Sequence, residues 1–240
     1  MRARTKGDVR IASYNIRKAL GTDRLRRPER ILHVIAQMDA DIVVLQEADR
    51  RFGLRPSALP EDEIEAMTGL VALPIATNDV SLGWHGNAIL VRPGVEPQQI
   101  RRIDLPGLEP RGAVCADLSV WGMPMRIAGT HLGLMRRHRR KQLSALIAEV
   151  QSGALMPSAI AGDLNEWSTS VGLGRLHKHF DIHAPGQSFH ARRPIAPLDR
   201  IALDNQLIAI SGGVVETPLA RRASDHLPIW MDVRFDRKAS

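Results

Sequence analysis

Cysteine and most aromatic residues are scarce in this chain. Its single cysteine, Cys115, has nothing to pair with. That excludes an internal disulfide framework and suits a reducing compartment. One Tyr and four Phe exclude an extended row of aromatic platforms for stacking single-stranded bases. No apolar run approaches the length of a membrane span. The N-terminal Met-Arg-Ala-Arg-Thr-Lys-Gly-Asp is not followed by the apolar stretch of a signal peptide, so a cytoplasmic location is expected. No repeat, low-complexity segment or linker-like stretch interrupts the chain.

What remains is an ordinary globular composition, with 44% hydrophobic and 25% charged residues over 240 positions. A chain of this length buries a full core without covalent staples. The formal net charge is +7 and the sequence pI about 10.4. Arginine greatly outnumbers lysine, which suits bidentate contacts to phosphate. Nucleic acid, anionic lipid headgroups and phosphorylated small molecules are the partner classes that such a balance favours.

The patterning alternates between short β-rich runs and a few helices. Val9–Tyr14 reads as a strand ending in Asn15-Ile-Arg17. Pro28–Met38 carries apolar residues at helical spacing with proline in the first turn. Asp41–Gln46 reads as a buried strand ending on Glu47, and Pro60–Leu70 as a short helix stopped by Gly69. Further strands are expected over Asn87–Arg92, Ser158–Ala161, Asp199–Leu203, Gln206–Ile210 and Leu227–Val233. Gly112–Leu118 and Met125–Thr130 read as a hairpin around a Trp-Gly-Met-Pro turn, and Arg136–Val150 as a helix. Several connections are too short for parallel crossovers. The expected architecture is one α/β sandwich domain over residues 1–240, with its core at about 9–235 and its sheets mixed or antiparallel.

The polar residues fall at telling places. Asn15, Glu47, His131 and the pair Asp163/Asn165 each directly follow an apolar run, while Asp199 and Asp225-His226 each begin one. In Ile160-Ala-Gly-Asp163-Leu-Asn165 the acid and the amide stand two apart, on one side of an extended chain. Polar groups at strand ends converge when the strands share a sheet rim.

The ordered set Ser-Tyr-Asn15-Ile-Arg, Val-Leu-Gln-Glu47, Gly-Thr-His131-Leu, Gly-Asp163-Leu-Asn165, Leu-Asp199-Arg-Ile and Ser-Asp225-His226-Leu-Pro resembles the endonuclease/exonuclease/phosphatase superfamily. The likeness runs from Ile11 to about Val233 and sits nearest the deoxyribonuclease I and sphingomyelinase-like branches. It implies a four-layer sandwich of two packed mixed β-sheets flanked by helices. It also implies a phosphodiester hydrolase dependent on Mg²⁺ or Mn²⁺. By resemblance, Glu47, Asn15 and Asp225 belong to the metal, and hard oxygen donors suit Mg²⁺. Asp163 corresponds to the group that orients or deprotonates the attacking water, and Asn165 to a donor toward the phosphoryl oxygen. His226 corresponds to a catalytic imidazole, Asp199 to the carboxylate that fixes its tautomer, and His131 to a second imidazole. Arg17 stands where abasic-site relatives carry an acid, which points it toward a phosphate or a carboxylate.

Arg111 and Asn87 are further candidates for phosphate contact. The loop holding Trp84 and His85 is a candidate wall of a substrate groove. Trp167 and Cys115 read as core. The basic run Arg136–Lys141 reads either as a solvated helix face or as an anion contact. Read singly, Glu47 is a surface acid, His131 a loop histidine and Asp225 a turn cap; the ordered set outweighs those readings. The expected activity is that of a monomeric nuclease on DNA or RNA, with phospholipid, inositol phosphate or sugar phosphate hydrolysis as the alternative. A silent binding module would have no use for an intact set of acids, amides and imidazoles.

Overall fold

The computed structural model describes residues 7–168 and 171–236. In chain order, β1 (Val9–Asn15), α1 (Pro28–Met38), β2 (Ile42–Gln46), α2 (Glu61–Thr68), β3 (Val71–Ala72) and β4 (Ala88–Val91) come first. They are followed by β5 (Val95–Leu105), β6 (Arg111–Val120), β7 (Met123–His131), α3 (Arg136–Val150), β8 (Ser158–Asp163), β9 (Asp181–His183) and β10 (Asp199–Leu203). β11 (Leu207–Val214), α4 (Pro218–Ala223) and β12 (Ile229–Phe235) complete the order.

β1 shows how the sequence sorts itself into layers. Val9 and Ile11 point into a core shared between two sheets, while Ala12 and Tyr14 pack under helices. The same alternation places Ile42 and Val44 of β2 between the sheets and Val43 and Leu45 against the helices. One sheet has the order β11-β12-β1-β2-β4-β3 and the other β5-β6-β7-β8-β10-β9. Each contains one parallel pair, β1 with β2 and β7 with β8. The connections within these two pairs carry crossover helices, α1 and α3 respectively. Helices α1, α2 and α4 cover one sheet and α3 the other, which completes the four-layer deoxyribonuclease I-like sandwich.

The sheets approach closely at Gly129. A Cβ there would lie 2.6 Å from Val44 Cγ1 of the opposing sheet. Two buried arginines in this frame are paired with acids. Arg10 donates to Asp232 through Nε and Nη2 at 2.7 and 2.9 Å, with Trp230 stacked on its guanidinium. Arg126 holds Asp117 at 2.6 and 2.8 Å and also donates to Val150 O, tying the β6–β7 hairpin to the end of α3.

Most expected elements are present at nearly the expected bounds. The hairpin turn is narrower than anticipated: only Trp121 and Gly122 form it, both with positive φ (49° and 86°), the primed geometry that matches strand twist. β5 was not expected. It is an edge strand pairing with β6 alone, with Pro97 beside a register shift and a largely exposed polar face, so its sequence lacks an alternating apolar signal. β9 and α4 are too short to carry a period. Trp167, expected in the core, is instead 57% exposed. Cys115 is buried as expected, and burial pushes its thiol up to about 11. No helix among the described residues is long and apolar enough to cross a membrane.

Candidate active site

Side-chain parity carries the inter-sheet core to its end and then replaces it with polar groups. Val9, Ile11 and Ser13 are followed on the same face of β1 by Asn15. On β7, Met125, Ile127 and Gly129 lead to His131, and on β8, Ala159 and Ala161 lead to Asp163. Asp199 opens β10 on the face that continues with Ile201 and Leu203. Register then sets these residues side by side: His131 pairs with Asp163, and Asp163 with Asp199. Asn15 reaches across from the other sheet, donating Nδ2–H to Asp163 Oδ2 at 3.0 Å.

Asp163 is the hub. Its Oδ2 also lies 3.4 Å from His131 Nε2 and 3.6 Å from His226 Nε2, while its Oδ1 accepts the Asn165 N–H at 2.9 Å. Gly162 permits the approach: its φ is +155°, and a Cβ there would strike Thr130 O. His226 Nδ1 is 2.8 Å from Asp199 Oδ2. The other Asp199 oxygen is buried and has no hydrogen-bond partner among the described residues. Ser224 Oγ donates to Asn15 O at 2.7 Å and receives the His226 N–H, which pins the segment before β12 against the end of β1.

The two imidazoles are driven in opposite directions. Burial dominates at His131 and, with Arg111 and His226 nearby, outweighs Asp163 to bring it down to about 3. Burial also opposes charge on His226, but Asp199, Asp163 and Asp225 together push it up to about 9. At neutral pH His226 is therefore an imidazolium and His131 a neutral ring, a split of the kind acid–base sites use.

Glu47 follows β2 in a left-handed conformation (φ 53°), and its carboxylate contacts Lys18 Nζ. Arg17 Nε lies 3.1 Å from Asp225 Oδ2. Arg17 thus meets a carboxylate. Burial and the neighbouring Arg26 and Arg51 lower the Lys18 ammonium below the ordinary lysine value. Backbone strain gathers here. Arg17, Lys18 and Ala19 are three consecutive left-handed residues, and His85 and Asn165 adopt the same conformation.

Two donor sets have metal-site chemistry. Asp163, Asp199 and His226 bring one ligand atom each within 4.8 Å of one another. Asn15, Glu47 and Asp225 form an oxygen set at or just beyond the ends of β1 and β2 and ahead of β12, three adjacent strands. The oxygen set suits a hard divalent cation, and its two carboxylates already draw a cation each, Lys18 and Arg17. The first set is less suited, because a protonated His226 offers N–H donors rather than lone pairs.

The remaining candidates are placed as follows. Asn165 donates Nδ2–H to Leu132 O at 2.8 Å. Asn87 is buried, bonded to Trp84 O and Gly112 O, and so bridges the two sheets. Arg111 pairs with Glu109 at 3.0 Å and lines a cavity of about 340 Å³ that Glu47 and His131 also line. Within Arg136–Lys141, Arg139 is buried against Glu166 at 2.8 Å, while the exposed members of the run remain on a solvated helix face. Lys18, Phe189 and the loop arginines 50, 51 and 55 went unnoticed in the sequence. Phe189 packs 4.9 Å from the His226 ring and carries Trp167 on its other side at 6.1 Å. Nothing in the local sequence marks Phe189, since a long loop brings it to His226.

Comparison with known proteins decides the lineage. Residues 12–226 match the Endonuclease/Exonuclease/phosphatase family. The chain belongs to this family of phosphohydrolases. Its sequence is 30% identical over 169 residues to the uncharacterized protein YbhP of Escherichia coli K12, a match covering 64% of each protein. The match thus spans less than two thirds of that relative's length. The fold is similar to that of the mannosyl-6-phosphatase Bt3783 of Bacteroides thetaiotaomicron (TM-score 0.73, 19% identity, 95% of this chain and all of that one). It is equally similar to D. rerio TDP2 complexed with a single-strand DNA product (TM-score 0.73, 15% identity, 95% of this chain and 99% of that one).

Proposed function

We propose that this member of the family is a divalent-metal-dependent phosphodiester hydrolase acting on DNA or RNA. The observation that carries the reading is the convergence on Asp163 of Asn15, His131 and His226, with His226 held in turn by Asp199. Each side chain comes from a different strand or strand end.

Asn15, Glu47 and Asp225 are the residues that would hold Mg²⁺ or Mn²⁺. When bound, such an ion draws charge from a phosphate oxygen and neutralises what develops there. Asp163, an acceptor beside both rings, orients the attacking water and receives its proton as the water oxygen bonds phosphorus, the ester P–O bond to the leaving group breaks, and the departing oxygen takes a proton from solvent. His226 Nε2–H, charged and fixed by Asp199 at Nδ1, donates to the phosphoryl oxygen as negative charge grows. His131, neutral at the same carboxylate, keeps one ring nitrogen as donor and one as acceptor on the side of Arg111. Asn165 orients the strand end through Leu132 O and keeps a second amide N–H for the phosphate.

The basic balance of the chain supports a polyanionic substrate. TDP2, which shares the fold, was captured with a DNA product. The cavity beside Glu47 favours a second reading, the same chemistry on an inositol, sugar or lipid phosphate, since about 340 Å³ suits a small headgroup. The test is nicking of supercoiled plasmid and hydrolysis of bis(p-nitrophenyl) phosphate in Mg²⁺ or Mn²⁺, with Asp163→Asn as control. Wild-type turnover of both substrates with none in the variant is expected. Turnover of the small diester alone would move the substrate to headgroups, and turnover unchanged in Asp163→Asn would overturn the mechanism.

A further inference from the structure

The loop after β2 does something that hydrolysis of a lone phosphodiester does not require. Immediately past Glu47 and Asp49 it carries Arg50, Arg51 and Arg55, and all three line the cavity shared by Glu47 and His131. Lys18 and Arg111 line it as well, so five cations face three carboxylates. The carboxylates are already committed. Glu47 contacts Lys18, and Glu109 holds Arg111 at 3.0 Å. Asp49 turns its oxygens onto the backbone N–H groups of Leu82 and Gly83 at 2.7 and 3.3 Å.

Asp49 lies close enough to feel the charge of Arg55, but among the described residues no carboxylate is hydrogen-bonded to a guanidinium of this loop. Arg50 and Arg51 make no ion pair among the described residues and are exposed at the mouth. Arg55 is half-buried, and among the described residues its guanidinium bonds the His85 ring alone, Nη1 to Nδ1 at 3.1 Å, while His85 Nε2 turns to Asp104. His85 thereby props Arg55 at the cavity. Three guanidiniums from six residues of chain repel one another, and a bound anion offsets that repulsion through charge-assisted hydrogen bonds.

We infer that this cavity is a second-anion subsite: Arg50, Arg51 and Arg55 bind a phosphate group of the substrate other than the one cleaved between Glu47 and His226. The inference rests on the proposed hydrolase reading and narrows its substrate to molecules with a second phosphate within one cavity length of the first. A neighbouring phosphate of a nucleic acid end and a second phosphate on a polyol headgroup share that chemistry.

The experiment measures binding rather than turnover, so it stands apart from the hydrolase reading. Using the Asp163→Asn protein in Mg²⁺, calorimetry compares the dinucleotide TpT with 5′-phosphorylated pTpT, and inositol 1-phosphate with inositol 1,4-bisphosphate. At least one bisphosphorylated partner is expected to bind roughly tenfold tighter than its parent or better, as one or two charge-assisted contacts give. In Arg50→Gln/Arg51→Gln, and separately in Arg55→Gln, that ratio falls toward one, with thermal unfolding confirming a folded protein. A preference confined to the nucleotide pair supports the subsite and assigns it to nucleic acid ends. A preference confined to the inositol pair supports it and assigns it to headgroups. Equal affinities within both pairs, or a ratio that survives the arginine variants, would overturn the inference. Failure of wild-type protein to hydrolyse bis(p-nitrophenyl) phosphate would instead count against the hydrolase reading alone.

Discussion

Asp199→Asn isolates the electrostatic design of the site. Asp199 is fully buried, accepts His226 Nδ1–H at 2.8 Å, and is the foremost of the charges that raise His226. Bringing a histidine from 6.5 to about 9 corresponds to about 3 kcal/mol of preferential stabilisation of the charged ring. Asparagine keeps the shape and an acceptor oxygen but removes the charge, so burial pulls the imidazole back toward or below its ordinary value. The consequence for stability has a definite sign. A folded-state value above the unfolded one contributes stability that is whole below pH 6.5 and vanishes as pH rises through about 9. The variant is therefore expected to be less stable than wild type by up to about 3 kcal/mol near pH 6, with the charge-dependent part of that gap gone above pH 9. Hydrolysis falls on the order of 10²- to 10⁴-fold, the range typical for loss of a correctly charged and oriented histidine. Urea unfolding across pH, together with an NMR titration of the His226 ring, measures both. A stability gap that does not vary with pH, or a ring that still titrates near 9 in the variant, would refute the reasoning.

Chelation of divalent metal is expected to stop hydrolysis, and Mg²⁺ or Mn²⁺ to restore it; Glu47→Gln should then need roughly tenfold more metal or worse, read from activity against metal concentration. Full activity in excess chelator would remove Glu47 from the metal. Asp117→Ala leaves the Arg126 guanidinium buried without its carboxylate and should cost about 3–5 kcal/mol in urea unfolding; a loss below about 1 kcal/mol would show that water reaches Arg126. Gly129→Ala drives a Cβ into Val44 Cγ1 and should destabilise by about 1–3 kcal/mol, with Val44→Ala in the same chain recovering much of it. No recovery in the double variant would place the strain elsewhere.

His131 offers a contrast to His226 on the acid side. Its folded-state value lies below the unfolded one, so its contribution is whole above about pH 6.5 and is lost as pH falls toward about 3. One imidazole thus favours the fold at low pH and the other at high pH, because burial prevails at His131 while the surrounding carboxylates prevail over burial at His226.

Local chemistry made much of this protein legible from its chain. Apolar runs of five or six residues had to be buried strands, Pro28 opened a helix, and a left-handed Gly69 closed another. That Asn15, His131 and Asp163 stand where apolar runs end was legible too, and the two-residue alternation of any strand put Asp163 and Asn165 on one side of theirs. What the alternation could not encode was partnership across distance. Asn15 and Asp163 lie 148 positions apart yet are joined by one hydrogen bond, because only the packing of one sheet on the other aligns their strand ends. The same packing buries His131 and surrounds His226 with three acids, so the opposite charging of two identical side chains is a property of the tertiary structure. Phe189 and the Arg50–Arg55 loop were invisible for a related reason. Loops carry no period, and their meaning comes from the cavity or ring that the folded chain sets beside them. Residue types and order determined which groups were available and on which strand face each would stand. Desolvation and long-range charge, which exist only once the sheets have closed, decided what those groups became.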